Sequence, residues 1–313
     1  MIISVSRRTD IPAFYSEWFF NRIKAGFVDV VNPMNPNQIS RIDITPNKVD
    51  CFVFWTKDAT PMMNRLDELS EYKYYFQYTI TPYNKDAEPG LLNKKKIIEN
   101  FKDLSKKIGK DKIIFRYDPI FLTKKYSIKY HCEAFEKLCR ELNGFTEKCV
   151  ISFIDLYKKT EKNTKSLNII PMNITHIEKI AKEFSLISSK YGIKIETCAE
   201  NYNLEQYGIS SGKCIDDKLI SEILNCNLNV KKDRDQREIC GCVKSIDIGQ
   251  YNTCKHHCLY CYANFNYKQV EERCLKHNPQ SSLLIGELNV DSKISIKKMS
   301  SIKINENKQS SLF

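Results

Sequence analysis

The sequence lacks several features that identify common classes of protein. No apolar run reaches the length of a transmembrane helix, so we expect no membrane-spanning segment. Residues 1–8 lack the apolar stretch of an export signal, which favours a cytoplasmic protein. The chain also lacks a Walker loop, a G-x-G-x-x-G fingerprint and a convincing Ser-His-Asp arrangement. These absences argue against nucleoside triphosphate, dinucleotide and serine-hydrolase chemistry.

Cysteine and lysine are abundant instead. Thirteen cysteines occur in a chain of 313 residues whose hydrophobic fraction of 42% can form a real core. Without an export signal, so many cysteines indicate a reducing cytosol and metal chemistry rather than a disulfide framework. The net charge of +11 suits an acidic partner such as nucleic acid, although much of the excess is lysine scattered over predicted helix faces.

Short apolar runs alternate with amphipathic helical patterns. Strands are predicted at 2–6, 28–31, 51–55, 74–79, 112–117, 148–153, 194–197 and 244–248. Helices are predicted at 14–25, 94–108, 128–142, 177–191 and 217–224, and loops at 33–48 and 81–92. This alternation predicts an α/β fold, namely a (β/α)8-like or partial TIM barrel over residues 1–287.

Polar residues cluster where the predicted strands end, which is where barrel enzymes build their sites. Asp10 follows the first strand, Arg116 and Asp118 close the fifth, and Glu196 lies with Glu200 at the seventh. We expect the carboxylates to serve acid–base or cofactor-binding roles and Arg116 with Asp118 to orient a substrate. The alternatives are an ordinary salt bridge in the barrel and ion-paired rim carboxylates.

Three cysteines share one short loop after the last predicted strand. Cys254, Cys258 and Cys261 have the spacing C-x3-C-x2-C, and Tyr260 precedes the third. Three thiolates can hold three irons of a four-iron cluster and leave the fourth iron open to a small molecule, whereas zinc sites usually close all four positions. The alternatives are a zinc site completed by His256, His257 or a distant cysteine, and inert buried thiols.

This loop resembles that of radical S-adenosylmethionine (radical SAM) enzymes. The resemblance implies a 4Fe-4S cluster whose open iron binds S-adenosylmethionine (SAM), Tyr260 against the adenine, and a flavodoxin or ferredoxin as electron donor. Such loops usually follow the first strand, so here the barrel would be circularly permuted. The Gly-Gly-Glu stretch that meets the SAM amino group is absent; residues 6–10 occupy its place, and Arg7 and Arg8 there are the candidate SAM-binding residues.

A second resemblance extends from residue 1 to about residue 287. It rests on Ser-Arg-Arg-Thr-Asp-Ile-Pro at 6–12, Phe-Trp-Thr-Lys at 54–57, Arg-Tyr-Asp-Pro at 116–119, Glu-Thr-Cys-Ala-Glu at 196–200, and Cys-Gly-Cys at 240–242. In these segments the chain is similar to an uncharacterised family, domain of unknown function 1848, whose late cysteine cluster is radical-SAM-like. The loop Cys-Leu-Tyr-Cys-Tyr-Ala also resembles that of spore photoproduct lyase, a DNA-repair enzyme.

Four further cysteines predict a second metal site. Cys198 follows a strand, Cys214 lies in a glycine-flanked loop, and Cys240 and Cys242 flank Gly241, which lets a turn present both thiolates to one ion. Four thiolates make a closed site for a second iron–sulfur cluster or a zinc ion. The alternative is a set of separate buried thiols.

Residues 288–313 are rich in Lys, Ser and Asn and predict a flexible basic tail. Its last residues, Gln309 to Phe313, resemble the short peptide by which bacterial proteins bind the DNA sliding clamp, although Ser310 departs from the usual apolar second position. We therefore expect a radical SAM enzyme acting on nucleic acid in modification or repair. The alternatives are a non-catalytic iron–sulfur or zinc nucleic-acid-binding protein, and a radical SAM enzyme acting on a small metabolite or peptide.

Overall fold

A computed structural model of the chain describes residues 1–155 and 158–304. Its strands are β1 (Ile2–Val5), β2 (Phe27–Asn32), β3 (Asn35–Asp43), β4 (Cys51–Thr56), β5 (Tyr74–Thr79), β6 (Ile113–Ile120), β7 (Lys148–Phe153), β8 (Lys194–Cys198), β9 (Ser210–Gly212), β10 (Ile246–Asp247) and β11 (Lys293–Ile296). The α-helices are α1 (Ile11–Phe14), α2 (Ser16–Ala25), α3 (Thr60–Met63), α4 (Lys94–Ile108), α5 (Ile128–Leu142), α6 (Lys158–Thr164), α7 (Ile174–Lys190), α8 (Asp217–Leu224) and α9 (Tyr267–Cys274). Short 3₁₀ helices occupy Leu66–Leu69, Lys110–Lys112, Lys165–Leu167 and Glu205–Tyr207.

A parallel sheet of eight strands forms the centre of this mixed α/β protein. Its order is β10-β1-β4-β5-β6-β7-β8-β9. From β1 onward the strands follow chain order, but β10 lies on the other side of β1, with Ile3 opposite Ile246 and Ser4 opposite Asp247. The last strand of the sheet in sequence is therefore the neighbour of the first. All eight strands point the same way, so their carboxyl ends meet at one edge.

Alternate residues of the central strands enter two different cores, as the two-residue period of a strand requires. In β4, Phe52 and Phe54 face the helices, and the ring of Phe19 from α2 lies 5.5 and 5.4 Å from theirs. Between them, Val53 packs in a second core with Tyr75 and other residues of neighbouring strands. The sheet is therefore apolar on both faces, which is typical of parallel sheets covered on both sides.

Capping residues and an apolar stripe define the long helices. The side chain of Asn93 accepts a hydrogen bond from the backbone N–H of Lys95 at the start of α4, and Ser127 caps α5 through Tyr130 N–H. The predicted ranges 94–108, 128–142 and 217–224 agree with α4, α5 and α8. α5 packs on α7, where the rings of Phe135 and Phe184 stack with centroids 3.9 Å apart.

A small second sheet differs from the sequence prediction. The strand predicted at 28–31 does not join the central sheet; β2 pairs antiparallel with β3, which lies inside the predicted loop 33–48. The Asn and Pro residues that open β3 read as a loop, yet this strand starts at an exposed hairpin where Pro is tolerated. β11 pairs parallel with β3, so the prediction of a flexible tail from residue 288 missed a strand.

The last described residues contact the body of the protein near the start of β4. Asp50 accepts hydrogen bonds from Ser301 Oγ at 2.7 Å and from Ile302 N–H at 2.9 Å, so residues 301–302 also contact the body of the protein. The predicted clamp-binding peptide at 309–313 lies outside the described residues. Across residues 1–155 and 158–304, no helix is long and apolar enough to span a membrane.

Candidate metal and cofactor pocket

One pocket of about 450 Å³ lies at the carboxyl ends of the parallel strands. It falls within the size range of small-molecule sites, roughly 300–1,000 Å³. All seven cysteines that the sequence predicts as metal ligands line it: Cys198, Cys214, Cys240, Cys242, Cys254, Cys258 and Cys261. Arg7, Asp10, Arg116, Asp118 and Tyr260 line the same pocket. The fold thus brings together residues that are up to 254 positions apart in the chain.

The cysteine loop, residues 250–265, is held by hydrogen bonds to several parts of the chain. Asn264 Nδ2 donates to the carbonyl oxygen of Cys254 at 2.6 Å, which fixes the loop on itself. Gly90 N–H donates to His256 O at 3.0 Å. A Cβ atom at Gly90 would lie 2.6 Å from the backbone oxygens of Lys255 and His256, so only glycine allows this close approach.

Asp10 is a hub between the first strand end and the cysteine loop. One carboxylate oxygen accepts from Ala13 N–H and Thr56 Oγ1 at 2.9 and 2.8 Å. The other accepts from Lys57 N–H and from His256 Nε2, both at 2.8 Å. With both oxygens engaged and the residue buried, Asp10 is placed to position the loop, whereas the sequence suggested a catalytic role.

His256 keeps one ring nitrogen free of hydrogen bonds. Its Nε2 bonds to Asp10, while Nδ1 is buried and has no hydrogen-bond partner among the described residues. A histidine whose second nitrogen bonds to a carboxylate is typical of metal ligands. The ring of the neighbouring His257 packs edge-on against Tyr267 at 4.9 Å.

The thiols of the cysteine loop are buried or partly buried and therefore resist deprotonation in the absence of a cation. Burial raises the pKa of Cys258 to about 12 and also raises the pKa of Cys254 and Cys261. The nearby ammonium of Lys57 acts in the opposite direction on Cys258 and Cys261. Metal coordination would stabilise the thiolates, because a bound cation offsets the desolvation of their negative charge.

A buried ionic network that the sequence did not reveal lies under this loop. Lys57 Nζ donates to Glu88 Oε1 at 2.9 Å and to Tyr260 Oη at 3.0 Å, and Glu88 also pairs with Lys94. Burial opposes the ionisation of Glu88, but the charges of Lys57 and Lys94 outweigh it and lower its pKa to about 2. Thr81 Oγ1 donates to the same carboxylate at 2.5 Å. Nothing in the spacing of these residues marks them as partners.

The two tyrosines of the loop differ in exposure. The Tyr260 ring is buried, with centroids 5.7 Å from Tyr83 and 5.8 Å from Phe121, and its hydroxyl is held by the ionic network. The ring of Tyr260 is 9% exposed at the pocket, so little of its surface is accessible for the adenine contact predicted from the sequence. Tyr262 is 49% exposed, lines the pocket, and donates from its hydroxyl to the carbonyl oxygen of Arg7 at 3.0 Å.

The other four cysteines form a second group in the same pocket, which we call the four-thiol group. The sulfurs of Cys198 and Cys214 are 3.0 Å apart. Cys214, Cys240 and Cys242 are buried in one cluster of side chains, and Cys198 packs against it. In the described part of the chain, however, no group of three or more His, Cys, Asp or Glu side chains has an arrangement ready to hold a metal ion.

Arg116 connects the four-thiol group with Asp118. Its Nη1 donates to Cys214 Sγ at 3.0 Å and to Gln77 Oε1 at 3.1 Å, and its Nε donates to Asp118 Oδ2 at 3.0 Å. Ser152 Oγ donates to the other oxygen of Asp118. The predicted pairing of Arg116 with Asp118 is therefore present, and both side chains line the pocket.

Two of the predicted site residues lie elsewhere. Glu196 pairs with Lys148 at 3.1 Å and Lys194 at 2.8 Å, and these lysines begin β7 and β8 at the amino ends of the strands. Its side chain lines a second pocket there, because successive side chains of a strand alternate in direction. Arg8 stacks over the ring of Tyr251 at 5.2 Å and does not line the main pocket.

Glu200 lies two residues after Cys198, and its pKa is shifted upward, in the direction opposite to that of Glu88. Burial raises its pKa to about 7, and the negative charges of Asp155 and Asp118 act in the same direction. Its Oε1 accepts a hydrogen bond from Phe153 N–H at 2.8 Å. A carboxyl group with a pKa near neutrality can exchange a proton at physiological pH.

Comparisons with known proteins give a family but no reaction. Residues 2–263 match the family model described as "Domain of unknown function (DUF1848)", a range that includes the whole cysteine motif. No curated protein matches the chain significantly. A solved structure named "putative alpha-L-fucosidase", from Bacteroides thetaiotaomicron VPI-5482, shares 13% identity over 52% of this chain and 68% of that chain, with a TM-score of 0.24. So low a TM-score carries no argument about fold or activity.

Proposed function

The chain belongs to the family described as domain of unknown function (DUF1848), and we propose that it is a radical SAM enzyme. Cys254, Cys258 and Cys261 would hold a 4Fe-4S cluster, and SAM would bind in the pocket beside them. The observation that carries the proposal is the placement of three cysteines from one loop, two buried and one partly buried, in a single pocket at the carboxyl ends of a parallel sheet.

The sheet order supports the circularly permuted barrel in the proposal. The cysteine loop follows β10, and β10 pairs with β1 at the edge of the eight-stranded sheet. In the spatial order of strands, the loop therefore follows the first strand even though it comes late in the sequence. This position corresponds to the early cysteine loop that radical SAM enzymes carry.

The donor set fits an iron–sulfur cluster with one open iron. The loop offers three thiols, and the charge of Lys57 nearby favours the thiolate forms of Cys258 and Cys261. When bound, such a cluster supplies the electron that cleaves a carbon–sulfur bond of SAM and yields a 5′-deoxyadenosyl radical. The alternative of a zinc site completed by His256 also fits, because Nδ1 of this histidine has no hydrogen-bond partner among the described residues.

The other residues of the pocket would bind and orient the ligands. The half-exposed ring of Tyr262 offers a face to an adenine, and the indole of Trp55 lines the same space. Asp118 and Arg7 are charged groups suited to the amino and carboxylate ends of an amino acid. Asp10 and Lys57 would keep the cysteine loop in place through their hydrogen bonds.

The test is SAM cleavage by the full-length protein. After anaerobic purification, reconstitution with iron and sulfide, and reduction, we expect 5′-deoxyadenosine to form from SAM. The triple variant Cys254→Ala, Cys258→Ala, Cys261→Ala should form none. Cys226→Ala is the matched control, since Cys226 is a partly exposed cysteine outside both thiol groups; this variant should cleave SAM like the unmodified protein.

Two results would refute the proposal. One is a reconstituted cluster that neither cleaves SAM nor changes its spectrum when SAM is added, which would favour the non-catalytic binding protein. The other is zinc bound by the three loop cysteines in anaerobically isolated protein. Nucleic acid as substrate, and a flavodoxin or ferredoxin as electron donor, stay predictions from the sequence.

A further inference from the structure

The four-thiol group brings four cysteines from three segments of the chain to one wall of the pocket. The sulfurs of Cys198 and Cys214 are 3.0 Å apart, and Cys240 and Cys242 are buried in the same cluster of side chains as Cys214. Ile215 N–H also donates to Cys242 Sγ at 3.4 Å. Four separately buried thiols would have no reason to converge in this way from three segments of the chain.

The spacing of these sulfurs distinguishes one ion from an iron–sulfur cluster. Four thiolates around a tetrahedral zinc, each at about 2.3 Å from the metal, lie about 3.8 Å from one another. The 3.0 Å contact between Cys198 and Cys214 needs only a slight expansion to reach that value. A four-iron cluster places its own iron and sulfide core between the cysteine sulfurs and holds them much further apart. The contact between Cys198 and Cys214 leaves no room for such a core between these two sulfurs.

The charges around the group suit a dianionic centre. One zinc ion with four thiolates carries a net charge of −2, and buried charges require compensation. Arg116 is buried and already donates to Cys214 Sγ at 3.0 Å. The guanidinium of Arg7 lines the same pocket as the four cysteines. Both arginines also pair with carboxylates, Arg116 with Asp118 and Arg7 with Asp233 and Asp247, so they supply positive charge to the group without being isolated cations.

We propose that Cys198, Cys214, Cys240 and Cys242 bind one zinc ion in a closed four-thiolate site. Cys198 ends β8, Cys214 precedes α8, and Cys240 and Cys242 lie in the segment that leads to β10. The ion would tie these three segments together and form the wall of the pocket that carries Arg116. This inference does not depend on the radical SAM proposal, since it concerns other ligands and another metal.

The test is the metal content of the full-length protein and three variants after anaerobic purification. Cys240→Ser with Cys242→Ser should lose the zinc. The unmodified protein, the triple alanine variant of the cysteine loop and Cys226→Ser should each retain about one zinc per chain. In the triple variant, replacement of zinc by cobalt should give the sulfur-to-cobalt charge-transfer absorption of a tetrahedral thiolate site.

The cobalt spectrum keeps the proposal testable even if the serine variants fail to fold. Absence of the thiolate bands in the folded triple variant would overturn the proposal. Iron with acid-labile sulfide in that variant would show a second cluster instead of zinc. Zinc that persists in the Cys240→Ser, Cys242→Ser variant would place the ion elsewhere and also overturn it. None of these measurements of metal content and cobalt absorption uses SAM, so their outcome is independent of the proposed radical SAM reaction.

Discussion

At the scale of single residues, solvent exposure distinguishes Tyr260 from Tyr262, which the sequence alone does not. Tyr260 precedes the last loop cysteine, where radical SAM loops place an aromatic residue, yet its ring is buried against Tyr83 and Phe121. Tyr262 presents the accessible ring. The order of residues along a loop gives no information about which ring turns inward, because that depends on the packing of residues far away in the sequence.

Tyr262→Leu should therefore weaken SAM binding. Stacking of a base on an aromatic ring contributes about 1–3 kcal/mol, so the dissociation constant should rise roughly 10-fold. Equilibrium dialysis of the reconstituted protein with SAM measures this change. Tyr262→Phe is the control, because it keeps the ring and removes only the hydroxyl that bonds to Arg7 O. Equal affinity in Tyr262→Leu and the unmodified protein would contradict the assignment.

His131 makes the stability of the protein sensitive to acid. The imidazole is buried, with Nδ1 2.8 Å from Tyr117 Oη and Nε2 2.9 Å from Phe121 O, and burial lowers its pKa to about 4. The unfolded chain has the ordinary histidine pKa of about 6.5, so between these values the unfolded state binds more protons. The contribution of His131 to the free energy of unfolding is full above about pH 6.5 and is lost as the pH falls toward 4.

Lowering the pH from 7 to 5 should therefore cost about 2 kcal/mol through His131 alone. Urea unfolding of the triple alanine variant of the cysteine loop measures this without an acid-labile cluster. In the same background, the free energy of unfolding should fall over this pH step by about 2 kcal/mol less in His131→Gln than in the variant that retains His131. An identical pH dependence with and without His131 would show that the ring is not the titrating group.

At the scale of elements, the ionic network couples the loop 81–92 to the cysteine loop. Glu88→Gln would remove a buried carboxylate and leave the partly buried ammonium groups of Lys57 and Lys94 without their partner. Breaking a buried ion pair from one side costs about 3–5 kcal/mol, so we expect a loss of that size in urea unfolding and a lower iron content after reconstitution.

The double variant Lys57→Met, Glu88→Gln should recover part of this loss, because only the ammonium of Lys94 then remains without its carboxylate partner. Glu99→Gln is the matched control: Glu99 pairs with Lys96 at 3.7 Å on the exposed face of α4, and such pairs contribute less than about 1 kcal/mol. If Glu88→Gln destabilises no more than Glu99→Gln, the network does not hold the loop.

Hydrophobic periodicity predicted the helices that bury a regular apolar stripe, but it did not predict the strands that lack an alternating apolar pattern. The ranges of α4, α5 and α8 followed from apolar spacing and capping residues. β3 opens with Asn and Pro and lies largely exposed at its start, so it carries no alternating pattern. β9 consists of Ser210–Gly212, and its small polar residues read as a loop. Strands of this kind form through pairing with a neighbour, which the local sequence does not encode.

At the scale of the whole molecule, the sequence predicted which cysteines belong to the pocket but not how the two groups relate. The seven cysteines were recognisable by spacing and by their place after strands, and all of them line one cavity. Their convergence depends on the pairing of β10 with β1 and on segments that lie between β9 and β10. Contacts between such distant parts follow from topology, for which a single sequence carries only indirect signals.

The prediction of a DNA-linked function rests on the C-terminal peptide together with the basic charge and the resemblance of the cysteine loop to that of spore photoproduct lyase. Deletion of residues 309–313 should abolish binding to a bacterial sliding clamp, because it removes the glutamine and the two adjacent apolar anchors that would enter a preformed groove. Ser310→Ala should bind like the unmodified chain. Surface plasmon resonance with immobilised clamp measures both. Absence of binding by the intact chain would remove this support for a nucleic acid substrate.

The central claim is that the loop of Cys254, Cys258 and Cys261 presents an iron to SAM. Electron paramagnetic resonance of the anaerobically reconstituted, reduced protein tests it most directly, with spectra recorded before and after addition of SAM. We predict the signal of a reduced 4Fe-4S cluster whose g values shift when SAM binds, and no such signal in the triple alanine variant. A cluster signal that SAM leaves unchanged, or one that survives in the variant, would contradict the account.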